Sequence, residues 1–111
     1  MAGSEKFKEF RKGSTVILVL KLLQEQPMYG YQIAQEISKR SEGYFEFKQG
    51  TLYPALKEMV ADGLVTDRWD EHTHEGPPRK YYHITEAGRK ALVTWSEEWS
   101  TFTAKLGGLL F

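Results

Sequence analysis

The fold is decided by residues 51–84, which read TLYPALKEMVADGLVTDRWDEHTHEGPPRKYYHI. The first part of this stretch predicts a helix over about residues 51–62, because apolar side chains recur at helical spacing at Leu52, Leu56, Met59 and Val60. Thr51 is the expected N-cap, Pro54 is placed in the first turn, and Gly63 fits the position just after the helix. The stretch therefore begins with a short helix whose expected N-cap and C-terminal glycine are both present in the sequence.

A β-hairpin is predicted directly after this helix. Residues 64–69 and 79–84 are rich in β-branched and aromatic side chains and are typical of short strands. Residues 70–78 connect them and consist mostly of turn-forming and polar residues, with a Gly-Pro-Pro sequence at the end.

Two more helices are predicted before residue 51. Residues 14–26 are apolar on almost every side, which indicates a helix buried on more than one face, and Pro27 ends it. Residues 29–41 follow as a second helix with Ile33, Ala34 and Ile37 as the core stripe. Three helices followed by a two-stranded hairpin is the winged helix-turn-helix arrangement.

The last predicted element is a long helix over about residues 85–106, with Thr85 as its N-cap. A helix of about 22 residues, roughly 33 Å long, is too apolar for so small a core to cover, so we expect it to need a partner. Its apolar positions are Ala87, Ala91, Leu92, Trp95, Trp99, Phe102 and Leu106. The predicted fold is mostly α with a small β-hairpin: one domain over residues 1–111, with a winged helix-turn-helix at about 14–84 and a C-terminal dimerisation helix at about 85–106.

Composition excludes several classes of protein. The chain has 111 residues, 41% hydrophobic and 27% charged, which is an ordinary globular balance. It has no cysteine, which excludes a disulfide scaffold, a thiolate zinc site and a cysteine nucleophile. The longest apolar run, residues 16–20, is far shorter than the roughly 20 residues of a membrane span. We therefore expect a cytoplasmic protein with no membrane partner.

The charges cancel overall but are segregated along the hairpin. Lys and Arg number 15 and so do Asp and Glu, so any attraction to nucleic acid has to be local. Residues 62–75 carry five acids and one base, whereas residues 79–90 carry four bases and one acid. Arg79 and Lys80 open the returning strand on opposite faces, so a regular strand directs at most one of them to a phosphate backbone.

The predicted third helix has a face suited to DNA. A step of 100° per residue places Thr51 and Lys57 away from the apolar stripe, with Tyr53 at its edge and Lys48 and Gln49 just before the helix. Hydroxyl and basic groups at a helix N-terminus are the equipment of a recognition helix. Taken alone, the same pattern is more common on an ordinary surface helix.

Four segments together carry a family resemblance: YGYQI at 29–33, GTLYPAL at 50–56, DGLV at 62–65 and RKYYHITEAG at 79–88. In this order and spacing they resemble the PadR family of bacterial transcriptional regulators, over about residues 15–106. The resemblance is to the short subfamily with a single C-terminal helix. It implies a DNA-binding repressor that dimerises through its first and last helices. A two-fold homodimer would prefer a pseudo-palindromic operator in double-stranded DNA, with its recognition helices about 34 Å apart.

The resemblance also assigns site residues. Together with Lys48, the residues expected to contact DNA are Tyr29, Tyr31, Gln49, Thr51, Tyr53, Lys57, Arg79 and Lys80. The wing tip here, residues 70–75, is acidic, which argues against deep insertion of the tip into a minor groove.

Trp99 has two interpretations. Some short members of the family that sense multidrug compounds place a tryptophan of this helix in an apolar pore between subunits, and Trp99 and Val16 match pore positions. Trp95 lies one turn before Trp99, and such a pocket would take a planar aromatic effector, with a cation gaining further from the rings. The alternative is plain dimer packing, which is favoured because aromatic residues are common in interfaces without ligands.

Other classes of function have little support in the residues. His72 and His74 could share a zinc ion only with further ligands that the sequence does not supply, so a solvated loop is the better interpretation. A Gly-x-Ser-x-Gly nucleophile turn is absent. We therefore predict no enzyme activity, metal or cofactor. The alternative to a DNA-binding regulator is a winged-helix adaptor that binds proteins and not DNA.

Overall fold

The computed structural model describes the backbone of residues 2–70 and 76–111, and the side chains of residues 13–48, 50–70 and 76–111. In chain order the elements are α1 (Ala2–Glu25), β1 (Met28–Tyr29), α2 (Gly30–Arg40), α3 (Gln49–Ala61), β2 (Val65–Asp70), β3 (Arg79–Ile84) and α4 (Glu86–Leu110). The predicted winged helix-turn-helix with a long last helix is confirmed.

One core joins all four helices and the sheet. Its buried members are Val19, Leu20, Leu22, Leu23, Met28, Ile33, Ile37, Leu52, Leu56, Met59, Val65, Tyr82 and Leu92. The predicted stripes of α2 and α3 are confirmed, since Ile33, Ile37, Leu52, Leu56 and Met59 all belong to this core. Removal of these side chains from water is the main stabilising contribution to the fold.

The sheet has a short strand that the sequence did not predict. Strand β1 pairs with β3, and the strand order is β1-β3-β2 with every pair antiparallel. Met28 lies opposite Tyr82 and Tyr29 opposite Tyr81. A strand of two residues is too short to produce an alternating pattern, so only the folded chain reveals it. Its consequence is that the residues just before α2 are bonded to the wing.

The start of α4 is tied to the end of α3. The Thr85 hydroxyl donates to the Gly63 carbonyl oxygen at 2.7 Å and accepts from the Gly88 N–H at 3.0 Å, which confirms the predicted N-cap. A Cβ added at Gly88 would overlap the Leu64 carbonyl oxygen and lie 2.8 Å from Cγ1 of Ile84. This close backbone contact sets the angle at which α4 leaves the wing.

Several predicted boundaries were wrong. Helix α1 begins at Ala2 rather than at residue 14, because the lysine and glutamate residues before residue 14 are good helix formers by intrinsic propensity. Helix α4 continues to Leu110 rather than to about residue 106.

The start of α3 was also misplaced. The N-cap is Lys48 and not Thr51, because the Lys48 carbonyl already accepts from the N–H groups of Thr51 and Leu52 at 2.9 and 3.0 Å. Pro54 consequently lies inside the helix rather than in its first turn, where it cannot donate to the Gly50 carbonyl. Gly63 follows the helix with a φ of 76°, the left-handed conformation expected there.

Candidate nucleic-acid interface

The N-termini of α2 and α3 meet through a glycine. A Cβ added at Gly30 would lie 2.7 Å from Cε1 and 2.9 Å from the hydroxyl oxygen of Tyr53, so the tyrosine ring rests on the α2 backbone. This contact brings Tyr53 of α3 beside Tyr29 and Tyr31, which flank Gly30. The exposed fractions of Tyr31 and Tyr53 are 53% and 42%, so both rings still reach solvent.

The α3 residues predicted to contact DNA are divided between two flanks. Thr51 and Lys57 are exposed, as the helical spacing predicts, and Lys48 just before them is exposed too. Thr51 lies on the flank that faces α1 and α4, whereas Tyr53 lies on the flank that contacts α2. The side chain of Gln49 lies outside the described residues, so its predicted contact stays a prediction.

The N-cap residues of α2 and α3, Tyr29 and Lys48, both have extended backbones and make no side-chain hydrogen bond to the helix they precede. The first N–H groups of a helix have no intrahelical acceptor, and the helix dipole places partial positive charge there. The start of α3 is therefore chemically suited to an external anion such as a phosphate, whereas at the start of α2 the Tyr53 ring covers Gly30.

Arg79 joins the wing to the start of α2. Its guanidinium carbon lies 4.5 Å from the ring centroid of Tyr29, and the Tyr29 ring meets the Tyr81 ring edge to face at 5.5 Å. The sequence assigned Tyr29 and Arg79 to separate elements, and the structure brings them together because β1 pairs with β3.

Lys80 lies on the opposite face of β3 from Arg79. Its ammonium is 3.3 Å from Oδ2 of Asp67 and 5.1 Å from the ring centroid of Trp69, both on β2. Sequence reasoning missed Asp67 and Trp69 as neighbours of a candidate contact residue. An exposed tryptophan in a short strand is the signal that could have drawn attention to this site, since 63% of Trp69 is accessible to solvent.

The wing histidine adds no positive charge at neutral pH. Burial lowers the pKa of His83, because it disfavours the charged imidazolium, and the nearby charge of Arg68 lowers it further. The positive charge of the described wing residues therefore comes from the guanidinium and ammonium groups of Arg68, Arg79 and Lys80.

A large groove separates α3 from α4. We call it the α3–α4 groove; it has a volume of about 1410 Å³ and is lined by parts of α1, α3, α4 and residues 46–48. Its apolar wall includes Val16, Ile17, Phe47, Trp95, Trp99 and Phe102, and its charged residues are Glu46, Lys48, Glu58, Asp62 and Glu98. The residues predicted to form an effector pocket, Val16, Trp95 and Trp99, thus lie in one groove with Thr51 and Lys48.

Trp99 packs against α1 on one side. A Cβ added at Gly13 would lie 3.4 Å from Cζ2 of Trp99, and the indole meets the ring of Phe102 edge to face at 5.7 Å. Phe102 is about half exposed, and Leu109, Leu110 and Phe111 further along are more exposed still. The end of α4 therefore presents an apolar surface that the described core does not cover.

The histidine pair weighed as a metal site is not tested by the structure. Within residues 2–70 and 76–111, no group of three His, Asp or Glu residues is arranged to hold a metal ion. His72 and His74 lie outside the described residues.

No helix among the residues described is both long and apolar enough to cross a bilayer.

Comparison with known proteins agrees with this architecture. The model of the PadR-like transcriptional regulator family matches residues 19–94. Transcriptional regulator Rv3488 of Mycobacterium tuberculosis is 31% identical over 86 residues, which cover 78% of this chain and 76% of the relative. A PadR family transcriptional regulator from Eggerthella lenta is 31% identical with a TM-score of 0.81, covering 98% of this chain and 92% of that one. A transcriptional regulator from Clostridium thermocellum is 27% identical with a TM-score of 0.85, covering 93% and 99%.

Proposed function

Because this chain belongs to the PadR-like family of transcriptional regulators, we propose that it is a sequence-specific DNA-binding repressor. We propose further that it acts as a homodimer and is released from its operator by a small molecule. The observation that carries the proposal is the continuous contact from Tyr53 through Gly30 and Tyr29 to Arg79. This contact joins the recognition helix, the start of α2 and the basic strand of the wing.

The proposed interface has two kinds of contact. Lys48, Lys57 and Arg79 bind phosphate, together with the open N-terminus of α3, and these contacts position the protein without reading sequence. Gln49 and Thr51 at the start of α3 read base edges in the major groove. Tyr29, Tyr31 and Tyr53 support the backbone contacts with hydroxyl groups at the joint between the helices.

A homodimer is supported by the apolar surface of α4. Residues 14–26 and 85–106 are the proposed interface, and the exposed Phe102 lies within it. Two-fold symmetry then presents two recognition helices to one pseudo-palindromic operator. Light scattering at micromolar concentration should give the mass of two chains, and a stable monomer would contradict this part of the proposal.

The composition of the α3–α4 groove supports a planar organic cation as the effector. Aromatic walls at Trp95, Trp99 and Phe102 suit a flat ring, and among the lining residues whose side chains are described, four of the five charged ones are acidic. A ligand against Thr51 and Trp99 would touch both the recognition helix and α4, which gives it a direct means to alter DNA affinity.

The DNA interface is tested by titrating a labelled duplex, taken from upstream of the protein's own gene, at several salt concentrations. Lys57→Ala and Arg79→Ala should weaken binding to all sequences and reduce the salt slope by about one unit each. Thr51→Ala and Gln49→Ala should instead alter the preference among operator variants. Lys39→Ala is the matched control, because it removes one exposed cation from the far end of α2.

Two outcomes would contradict the interface. An unchanged salt slope in both Lys57→Ala and Arg79→Ala would place the phosphate contacts elsewhere. If the wild type binds no duplex at low salt, the winged-helix adaptor becomes the better interpretation.

The effector is tested with planar cationic dyes. They should quench tryptophan fluorescence with micromolar affinity, about −8 kcal/mol, and Trp99→Ala should lose most of this binding. Operator DNA must weaken dye binding by the factor by which dye weakens operator binding. Equal binding to wild type and Trp99→Ala would show that Trp99 only packs the interface.

A further inference from the structure

The ammonium group of Lys80 is held by two residues of the neighbouring strand. Its Nζ atom lies 3.3 Å from the carboxylate of Asp67 and 5.1 Å from the ring centroid of Trp69. Both members of the ion pair remain in contact with water, since 38% of the Lys80 side chain and 35% of the Asp67 side chain are exposed. The wing thus presents this lysine with its charge already paired.

The pair lies on the side of the sheet that faces the helices. Asp67 is opposite Tyr82 and Trp69 is opposite Lys80 in the strand register, and Tyr82 is buried in the core on that same face. Strand β2 also packs against α3. Lys80, unlike Arg79, therefore projects from the wing on the side of the recognition helix.

We propose that Asp67 is an electrostatic latch on Lys80. In the free protein the carboxylate neutralises the ammonium, and on DNA the ammonium exchanges this carboxylate for a backbone phosphate. The inference rests on the proposed DNA-binding function and adds to it a residue that limits affinity. It also adds a second phosphate contact from the wing, on the face of β3 opposite Arg79, whereas the alternation of a regular strand predicts that at most one of Arg79 and Lys80 reaches a phosphate. The chemistry required of the partner is a phosphodiester beside the wing.

The energetics favour such an exchange. An exposed ion pair changes an equilibrium constant by at most about fivefold, so Asp67 holds Lys80 only weakly. The flexible stem of lysine lets the ammonium move by rotation of side-chain bonds alone. Asp67 near a phosphate is also repelled by it, so the latch weakens binding to every duplex and limits binding away from the operator.

A double-mutant cycle on the full chain tests the latch. The labelled duplexes are an operator and an unrelated sequence of equal length, titrated over a range of salt. Asp67→Asn should tighten binding to both duplexes by up to about fivefold at low salt, and this gain should shrink as salt rises, because salt screens the ion pair that the substitution removes. Lys80→Ala should cost more affinity in the Asp67→Asn background than in the wild type, because only there is the charge free from the start.

Glu36→Gln is the matched control. It removes a carboxylate from another exposed ion pair, with Arg40 at 3.2 Å near the C-terminal end of α2, and it should leave DNA affinity unchanged. A tightening by Asp67→Asn that persists in full in Asp67→Asn/Lys80→Ala would overturn the latch, since repulsion alone would explain it. Wild type that binds DNA with no gain from Asp67→Asn would overturn the latch and leave the proposed function standing. Wild type that binds no duplex would overturn both.

Discussion

The first turns of α4 and α3 are built in opposite ways. At α4 the Thr85 hydroxyl accepts from the Gly88 N–H, the Thr85 N–H donates to the Leu64 carbonyl, and Gly88 leaves no room for a side chain. At α3 the N-cap Lys48 makes no side-chain bond to the helix, and nothing lies within 4 Å of a Cβ added at Gly50. One helix start is closed by the protein itself, and the other is open.

The starts of α4 and α3 differ because the two helices have different proposed roles. The closed end sets the direction of a long helix that we propose as the dimer interface, so its backbone donors are satisfied inside the chain. The open end belongs to the proposed recognition helix. Unsatisfied N–H groups are tolerated in water and are favourable beside phosphate.

Breaking the closed end at its tightest contact should have the largest effect. Gly88→Ala places a methyl group against the Leu64 carbonyl oxygen and Ile84, so the backbone must shift and the free energy of unfolding should fall by about 2 kcal/mol or more. Urea unfolding at fixed protein concentration measures it. Gly50→Ala is the control, where open space predicts a gain of about 0.5–1 kcal/mol. Equal effects of the two substitutions would contradict the comparison.

Removing the cap should have an intermediate effect. Thr85→Ala loses the 2.7 Å bond to the Gly63 carbonyl and the bond from the Gly88 N–H, and should reduce the free energy of unfolding by about 1–2 kcal/mol. Thr85→Ser keeps the hydroxyl and should stay within about 0.5 kcal/mol of the wild type. A serine variant as unstable as the alanine variant would show that the methyl group, and not the cap, stabilises this joint.

Adding a capping side chain at the start of α3 should have the smallest effect on stability, and it should also change the affinity for DNA. Lys48 has the extended backbone of an N-cap, so Lys48→Ser should satisfy one α3 N–H and raise the free energy of unfolding by about 0.5–1 kcal/mol. The same variant should bind DNA less tightly with a smaller salt slope, because a cation is lost and a helix N–H is occupied.

Lys48→Ala separates these two contributions. It removes the cation without adding a cap, so any additional loss of DNA affinity in Lys48→Ser measures the helix N–H. If the two variants bind DNA equally, the open end of α3 contributes only through the lysine.

The sequence predicted the features that depend on local spacing. The buried stripes of α2 and α3, the glycine after α3 and the Thr85 cap all follow from periodicity or from one residue's conformational preference. The exposure of Thr51 and Lys57 followed from the 100° step of a helix. Local rules also produced the errors, because a threonine near a helix start was taken as its cap although Lys48 precedes it.

The candidate site was predicted as a set of residues and not as an arrangement. Three contacts join positions that are 13 to 50 residues apart. Arg79 stacks on Tyr29, the Tyr53 ring packs against Gly30, and Lys80 pairs with Asp67. Such contacts depend on strand register and helix packing, which no local pattern contains. Strand β1 is the clearest case, since only its partner β3 defines it.

The sequence by itself determined the order of the elements, the faces they bury and the residue types available for DNA, because each depends on side-chain chemistry within one or two turns of chain. The tertiary structure decided which helix ends stay open, which cations are free, and which aromatic residues share the α3–α4 groove. The physical reason is that hydrogen bonds, ion pairs and close packing act only over a few ångströms. Whether a group is satisfied is therefore settled by the neighbours that folding brings to it.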